Sequence, residues 1–337
     1  MRPLETAVLA AALLSCACRT SSASSVAPGT FPLVKVSDTA LPGAANRFDY
    51  QDLDVARARL VIAHMNDASV VIVRAADGSV EKVLPNIPTA RGVVVAPEVG
   101  RIFVTSSPNQ LVIIDRDTLV EIGRVTAGAG PDGVGWDPVH GIVATSDQHD
   151  GAVSLIVDAG SGERTQIALG KETGNVVFDA SRDLFWVTVV GDAPPDQLVA
   201  IDPISKAATQ RLSLPGCGGA HGLRIHPDHH SALVACEDNS LLARVDLTTG
   251  ALTTTPVGQG ADVLALDEGL GWLYVAAESG DLTVVDLTQA GLVVIDREHV
   301  ADHAHTVAVD AATHHVFFPL ESGPAGTPVL RTLRPGP

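Results

Sequence analysis

A residue pair that is Asp-Pro or close to it ends seven short apolar stretches of this chain, at a spacing that hardly varies. By subtraction, successive pairs lie 42, 41, 42, 47, 41 and 43 residues apart. A period near 40 residues with several short strands in each unit is typical of a β-propeller, in which each repeat forms one four-stranded blade around a central channel. The first residues of the pairs, called the first anchors below, are Asp54, Ala96, Asp137, Asp179, His226, Asp267 and Asp310.

A second anchor follows the first by about 20 residues, where an apolar triplet ends in Asp or Arg. Another apolar segment lies between the two anchors, so each unit is predicted to run as strand A before the first anchor, then B, then C before the second anchor, then D. We therefore predict an all-β chain, with residues 31–335 forming a single seven-bladed propeller of four-stranded antiparallel blades. The second anchors are Arg74, Asp115, Asp158, Asp202, Asp246 and Asp286.

The seventh unit is short, because the segment "PVLRTLRP" supplies its strand C and no strand D follows. The segment "FPLVKVSD", Phe31 to Asp38, has the composition of a strand and precedes the first blade. We predict that it joins the last blade as the outer strand. Such closure removes an exposed sheet edge and ties the two ends of the domain together.

Several repeat segments carry a family resemblance. They are "RIFVTSSPN" from Arg101, "WLYVAAESG" from Trp272, "NRFDYQDLDVARARLVIAH" from Asn46 and "GVGWDP". In these the chain resembles the YVTN-repeat, or YncE-like, seven-bladed propellers of bacteria, whose repeats are similar to WD40 repeats. The resemblance covers nearly everything after residue 30 and implies the fold, but it says little about chemistry. The chain departs from the pattern at Ala96 and at the insertion "GDAPPD", Gly191 to Asp196, which accounts for the 47-residue step.

The first 18 residues have the pattern of an export signal: Arg2, an apolar run from Ala7 to Leu14, then small residues. The sequence Leu13-Leu14-Ser15-Cys16 resembles a bacterial lipobox, which predicts lipidation of Cys16; simple cleavage nearby is the alternative. Residues 19–30 are rich in Ser, Ala and Thr and are predicted to be a flexible tether. We expect an exported protein, periplasmic or an outer-membrane lipoprotein of a bacterium, that touches the membrane only through the lipid.

The net charge of the chain argues against one class of partner. The formal net charge is −17, which repels phosphate backbones, so nucleic acid is not expected as a partner.

Cys217 and Cys236 bracket one predicted hairpin, and an oxidising compartment favours a disulfide between them. A thiolate metal site is the competing interpretation, although a lone Cys-x18-Cys pair is poor spacing for zinc.

One mouth of the channel is predicted to be ionisable. In a propeller the loops entering strand A and joining B to C open on the same face, so both sets of residues surround one mouth. Six of the seven residues five positions before the first anchors are ionisable, and we predict a ligand site there, to which His64 of a B–C loop is added. The other polar residues that the B–C loops bring to this mouth are Asn66, Asp147, His149, Asp192, Glu237, Asp238, Glu278 and Glu321. The alternative is that these side chains bond to neighbouring blades and hold them together. The seven positions hold Asp49, Arg91, Asp132, Gly174, His221, Asp262 and His305.

The most specific form of this ligand hypothesis is that the mouth binds a divalent metal. His303 and His305 are two residues apart, so on an extended segment they point to the same side, and His221 and Asp262 come from the two preceding blades. Imidazole and carboxylate together suit zinc, copper, nickel or iron. Arg91 would repel a cation and instead suits a carboxylate or phosphate on a ligand.

Three functions remain open, and the sequence lacks the usual motifs of nucleophile-elbow hydrolases, P-loop proteins, zinc proteases and covalent haem proteins. The first is a noncatalytic binding or scaffold protein, expected to be monomeric, that engages a protein or small-molecule ligand at the mouth. The second is a metal-dependent, lactonase-like hydrolase at the same place. The third is a metal-trafficking or redox accessory protein.

Overall fold

The computed structural model describes residues 31–157 and 163–337 as seven four-stranded antiparallel sheets. The predicted seven-bladed propeller is therefore confirmed. The predicted signal, Cys16 and the tether lie outside the described residues, as does the second anchor Asp158. In the described part of the chain no helix has the length and apolar character needed to cross a membrane.

The strands follow the predicted order A, B, C, D in each of the first six blades, and the A strand is innermost. In chain order they are β1 (Leu33–Ala40), β2 (Gln51–Asp54), β3 (Arg59–His64), β4 (Ser69–Arg74), β5 (Val80–Pro85), β6 (Val93–Ala96), β7 (Arg101–Ser106), β8 (Gln110–Asp115), β9 (Val120–Thr126), β10 (Pro131–Asp137), β11 (Ile142–Asp147), β12 (Ala152–Val157), β13 (Glu163–Ala168), β14 (Glu172–Asp179), β15 (Leu184–Val190), β16 (Asp196–Asp202), β17 (Ala207–Leu214), β18 (Ala220–Ile225), β19 (Ser231–Cys236), β20 (Leu241–Asp246), β21 (Leu252–Pro256), β22 (Ala261–Asp267), β23 (Trp272–Ala277), β24 (Asp281–Asp286), β25 (Val293–His299), β26 (Ala308–Asp310), β27 (His315–Leu320) and β28 (Val329–Pro335).

The seventh blade is built from both ends of the domain, in the order β1-β28-β27-β26. Strand β1 pairs antiparallel with β28, from Leu33 opposite Pro335 to Ala40 opposite Val329. The predicted ring closure is therefore confirmed, with the strand displaced by two residues from the predicted span. Arg331 of β28 also donates to both carboxylate oxygens of Asp38, at 2.8 and 2.9 Å.

The anchors recur because they end strands by accepting backbone hydrogen bonds. Oδ1 of Asp137 accepts from the amides of Val139 and His140, at 2.8 and 3.0 Å, as strand A turns into B. At the second anchor, Oδ1 of Asp246 accepts from Thr248 and Thr249. These Asx turns satisfy the backbone where it leaves the sheet, which explains why Asp recurs at this spacing. His226 makes the same contact through Nδ1, to the amide of Asp228 at 3.1 Å.

The core consists of aliphatic and aromatic side chains packed between adjacent blades. One buried cluster joins Val61 and Ile72 of the first blade to Ile102 and Val112 of the second, and comparable clusters lie between other pairs of neighbours. The predicted disulfide is also confirmed: Cys217, before β18, is bonded to Cys236 at the end of β19. Cys217 shortly precedes His221, and Cys236 directly precedes Glu237. The disulfide therefore ties together the two segments of the fifth blade that contribute to the channel mouth.

Neighbouring A strands approach so closely that only glycine fits at some positions. The amide of Gly92 donates to the carbonyl of Asp132 on the next blade, at 3.0 Å. A Cβ on Gly92 would lie 2.2 Å from that oxygen, and a Cβ on Gly222 would lie 1.8 Å from the carbonyl oxygen of Asp262. Real Cβ atoms do not approach backbone oxygens so closely, so a larger residue would force the blades apart.

Substituting Gly222 tests this contact between blades. We expect Gly222→Ala to lower the free energy of unfolding by about 3 kcal/mol, because the added methyl overlaps backbone that cannot move independently. Gly123→Ala is the matched control, since no atom lies within 4 Å of its added Cβ and its φ is not positive. It should change stability by less than about 1 kcal/mol. Urea unfolding measures both, and equal effects of the two substitutions would contradict the close approach.

Candidate functional site

The channel mouth contains a polar cavity of about 180 Å³. Strand A positions and B–C loops both contribute to its wall, as the sequence predicted for one face of the propeller. Five of the predicted mouth residues line it. These are Asp49, Arg91, Asp132, His221 and Asp262, joined by Glu237 and Glu278 of the B–C loops and by three residues that the sequence did not place in the site, Arg47, Met65 and Gln148.

β-Bulges bring three of the predicted side chains to the cavity. The pairing register of strand A shifts between Pro131 and Val134, between Ala220 and Leu223, and between Ala261 and Leu264. Asp132, His221 and Asp262 lie within these shifts. A bulge interrupts the alternation of side chains across a strand and can direct a residue away from the sheet face it would otherwise occupy. The fourth blade has the same bulge, with Gly174 at the equivalent position.

His221 is the central contact of the cluster. Its Nε2 lies 3.5 Å from an oxygen of Asp132 and 3.5 Å from an oxygen of Asp262, and 3.3 Å from the hydroxyl of Tyr50. Burial opposes protonation of this imidazole, but the carboxylates of Asp262 and Asp132 outweigh it and raise the pKa of His221. The ring therefore partly neutralises two of the five acids that line the cavity.

The two arginines pair with individual acceptors and do not neutralise all the acids. Arg47 donates to both oxygens of Glu278, at 3.1 and 2.6 Å, and this pairing outweighs burial and lowers the pKa of Glu278. Arg91 donates to Gln148 at 2.7 Å and to Asp132 at 3.4 Å. Even with His221 protonated, the five lining carboxylates, counted as ionised, exceed the two guanidiniums and the imidazolium by two negative charges.

That excess is reflected in the acids that no arginine holds. Burial, and then the charge of Asp132, raises the pKa of Asp49 to about 7. Burial raises the pKa of Asp262 well above its usual range and also raises the pKa of Glu237. Among the described residues, Oδ1 of Asp262 is buried without a hydrogen-bond partner. Carboxyl groups in this state take up protons unless a cation compensates them.

Two predicted mouth residues do not reach the cavity. His64 is fully buried, and its ring stacks on Phe48 with centroids 3.9 Å apart. His305 is 1% exposed and lies behind Glu278, with Nδ1 donating to the carbonyl of His303 at 3.0 Å. Burial, and then the charge of Arg47, lowers the pKa of His305 to about 4, so this imidazole is neutral.

The predicted four-residue metal set is not brought together. The His303–His305 segment is a turn and not extended, because His303 has φ of 59° and is exposed while His305 is buried. A different set of three residues is arranged as metal ligands would be. Asp262, Glu278 and His305 each offer one ligand atom, and these three atoms lie within 4.8 Å of one another. Glu278 is absent from the predicted set because its partners, Arg47 and His305, lie far away in sequence.

Comparison with known proteins supports the fold and no more specific property. No protein-family model matches the sequence, and no curated protein does. A solved structure of Kuenenia stuttgartiensis hydrazine synthase is similar at a TM-score of 0.71, with 14% identity over 88% of this chain and 96% of that chain. A chain of the crystal structure of the mitotic checkpoint complex is similar at 0.75, with 12% identity over 98% and 99%. At such identities the likeness concerns the propeller alone.

The raised pKa of Asp49 predicts a pH-dependent stability penalty. The unfolded chain loses this proton near pH 4 and the folded chain keeps it to about pH 7, so the folded state is penalised increasingly from pH 4 to 7 and fully above that. We expect Asp49→Asn to raise the free energy of unfolding by about 3 kcal/mol at pH 8 and to change it little at pH 4. Urea unfolding at both values measures this.

Glu268→Gln is the control for that experiment, since Glu268 is exposed and lies outside the mouth. Its effect on stability should be the same at both pH values. A gain from Asp49→Asn that is equal at pH 4 and pH 8, or a loss at pH 8, would contradict the assigned titration.

Proposed function

We propose that this chain is a binding protein that captures a cationic group at the channel mouth. The observation that carries the proposal is the excess of carboxylates around one 180 Å³ cavity, where two arginines and His221 face five acids. A bound cation would replace the protons that Asp49 and Asp262 take up when no cation compensates them. A metal ion and an ammonium both meet this requirement, and a lysine on a protein partner presents the same ammonium.

We propose an exported setting for this activity, on the strength of the sequence alone. The signal-like first 18 residues and the lipobox-like Leu13-Leu14-Ser15-Cys16 support an exported, lipid-anchored protein of the bacterial YVTN-repeat kind. The disulfide is in keeping with an oxidising compartment. Mass spectrometry of the mature N-terminus would distinguish a lipidated Cys16 from simple cleavage.

Cation capture is tested by calorimetric titration with 1,4-diaminobutane, Ca²⁺ and Zn²⁺ as separate probes. We expect at least one to bind, with the release of protons at pH 6 that diminishes by pH 8 as Asp49 ionises. Asp49→Asn and Asp262→Asn should each weaken binding about tenfold, the loss of one charge-assisted contact. Glu268→Gln should leave it unchanged. Failure of all three probes to bind, or binding insensitive to both aspartates, would overturn the proposal.

A metal-dependent hydrolase is the second candidate, and one observation favours it. The trio Asp262, Glu278 and His305 offers two carboxylates and a neutral imidazole, a donor set that suits zinc. There the metal would polarise a lactone or ester carbonyl. Against this, Arg47 already donates to both oxygens of Glu278, so a metal would have to displace it.

The hydrolase candidate is tested with a lactone and an aryl ester in the presence of Zn²⁺. Turnover that is lost in His305→Ala and retained in Glu268→Gln would support it. If Zn²⁺ binds without turnover, the trio is a metal-binding site of a noncatalytic protein. If diaminobutane binds and His305→Ala leaves that binding intact, the trio is not the cation site.

A further inference from the structure

A second and larger cavity, of about 340 Å³, lies inside the channel and differs from the mouth in chemistry. Its wall is formed by A strands of the first five blades and combines polar groups with aliphatic and aromatic side chains in about equal measure. Tyr50 lines this inner cavity, and its hydroxyl contacts His221, which lines the mouth. The apolar part of the wall consists of Tyr50, Val93, Val94, Val134, Trp136, Val176, Val177 and Phe178.

Arg224 is the cation of the inner cavity. It is one of two charged residues in the ring found two positions before each first anchor. Among the described residues its guanidinium makes one hydrogen bond, from Nη1 to the carbonyl of Leu223 at 3.2 Å, and no ion pair. Guanidinium carries five N–H donors, so most of its donors lack a protein acceptor. The ring holds Asp52, Val94, Gly135, Val177, Arg224, Ala265 and Ala308.

Asp52, the nearest acid to consider, does not serve as the partner of Arg224. Its two carboxylate oxygens accept from the amides of Leu53 and Val95, at 2.9 and 2.7 Å. These bonds hold Asp52 against its own and the neighbouring blade. The charge of Asp52 favours the charged form of Arg224, but burial has the larger effect and lowers the pKa of Arg224. A bound anion would relieve that desolvation.

Two amide side chains in the same wall also have unused hydrogen-bonding capacity. Gln51 is 6% exposed; its Nε2 donates to the carbonyl of Phe317 at 3.2 Å, and its Oε1 is buried without a partner in the described chain. Asn175 uses its Oδ1 to accept from the amide of Val176 at 2.7 Å, and none of the described residues accepts from its Nδ2. The wall therefore offers the guanidinium of Arg224 and the amide donor of Asn175, beside a carboxylate, Asp52, that backbone amides already hold.

We propose that the inner cavity binds a small monocarboxylate with an apolar body. Arg224 would hold the carboxylate through its fork of N–H groups, and the aliphatic and aromatic side chains of the wall would cover the body. The inner cavity is large enough for a compound of one aromatic ring, since pockets for small ligands begin at about 300 Å³. This site is separate from the cation site of the mouth and does not depend on it.

The experiment uses 4-hydroxyphenylacetate as the probe and neutral 4-hydroxyphenylacetamide as its matched control, titrated into the full-length protein by calorimetry. We expect the acid to bind at least about tenfold more tightly than the amide, because only the acid pairs with the guanidinium. Arg224→Gln should remove that preference. Arg224→Lys should retain part of it, because an ammonium keeps the charge and loses the fork.

Variants of the mouth separate this proposal from cation capture. Asp262→Asn should leave binding of 4-hydroxyphenylacetate within about twofold of the unsubstituted protein, because Asp262 does not line the inner cavity. Circular dichroism confirms that each variant is folded. The proposal is overturned if neither compound binds, if acid and amide bind equally, or if folded Arg224→Gln and Arg224→Lys both bind the acid as tightly as the unsubstituted protein.

Discussion

The close approach of adjacent A strands around the channel is the constraint on which the rest of the molecule depends. Inner strands pass their neighbours within hydrogen-bonding distance, as the amide of Gly92 does with the carbonyl of Asp132. The second strand of the fourth blade adds a similar contact, from the hydroxyl of Thr188 to the carbonyl of His221 at 2.6 Å. The backbone of the site residues thus joins one blade to the next, while their side chains face the cavity. The same residues hold the ring together through their backbone and line its centre with their side chains. Substitutions at the site are therefore expected to change stability as well.

Crowding of charge at the mouth follows from that geometry. Acids from blades far apart in sequence converge on one small space, and the two arginines there are already engaged with particular acceptors. Burial then favours the neutral carboxyl over the ionised one, which a surface cluster of the same composition would not experience. The inner cavity holds one acid and one guanidinium, and the two do not pair, because Asp52 accepts from backbone amides and Arg224 donates only to the carbonyl of Leu223 among the described residues. The channel therefore holds an acid-rich mouth and an inner cavity with an available guanidinium, and Tyr50 and His221 are in contact between them.

The sequence predicted the fold well because the residues that recur in each repeat are the turn residues that end its strands. The anchors end strands through local hydrogen bonds, so their spacing gives blade number and strand order directly. The same counting found five of the cavity-lining residues. It misplaced His64 and His305, because it used position in a loop or strand and could not account for burial behind Phe48 and Glu278. It missed Arg47, because the pairing of Arg47 with Glu278 of a B–C loop spans 231 residues of sequence. Arg224 had a sequence signal, as a charge in a ring of mostly small or aliphatic residues.

The composite seventh blade has a consequence for how the chain reaches its native state. Strand β1 is the first to be synthesised, yet its hydrogen-bonding partner β28 ends at Pro335. For almost the whole period of translation or translocation this segment has no native partner, whereas six blades can assemble from residues close in sequence. Joining the two requires the longest loop closure in the domain, so it is expected to be the last event of assembly. Until then the edge of β1, which carries the exposed Val34 and Val36, is open to pairing with other chains, and a chaperone acting on this protein would have that edge to protect.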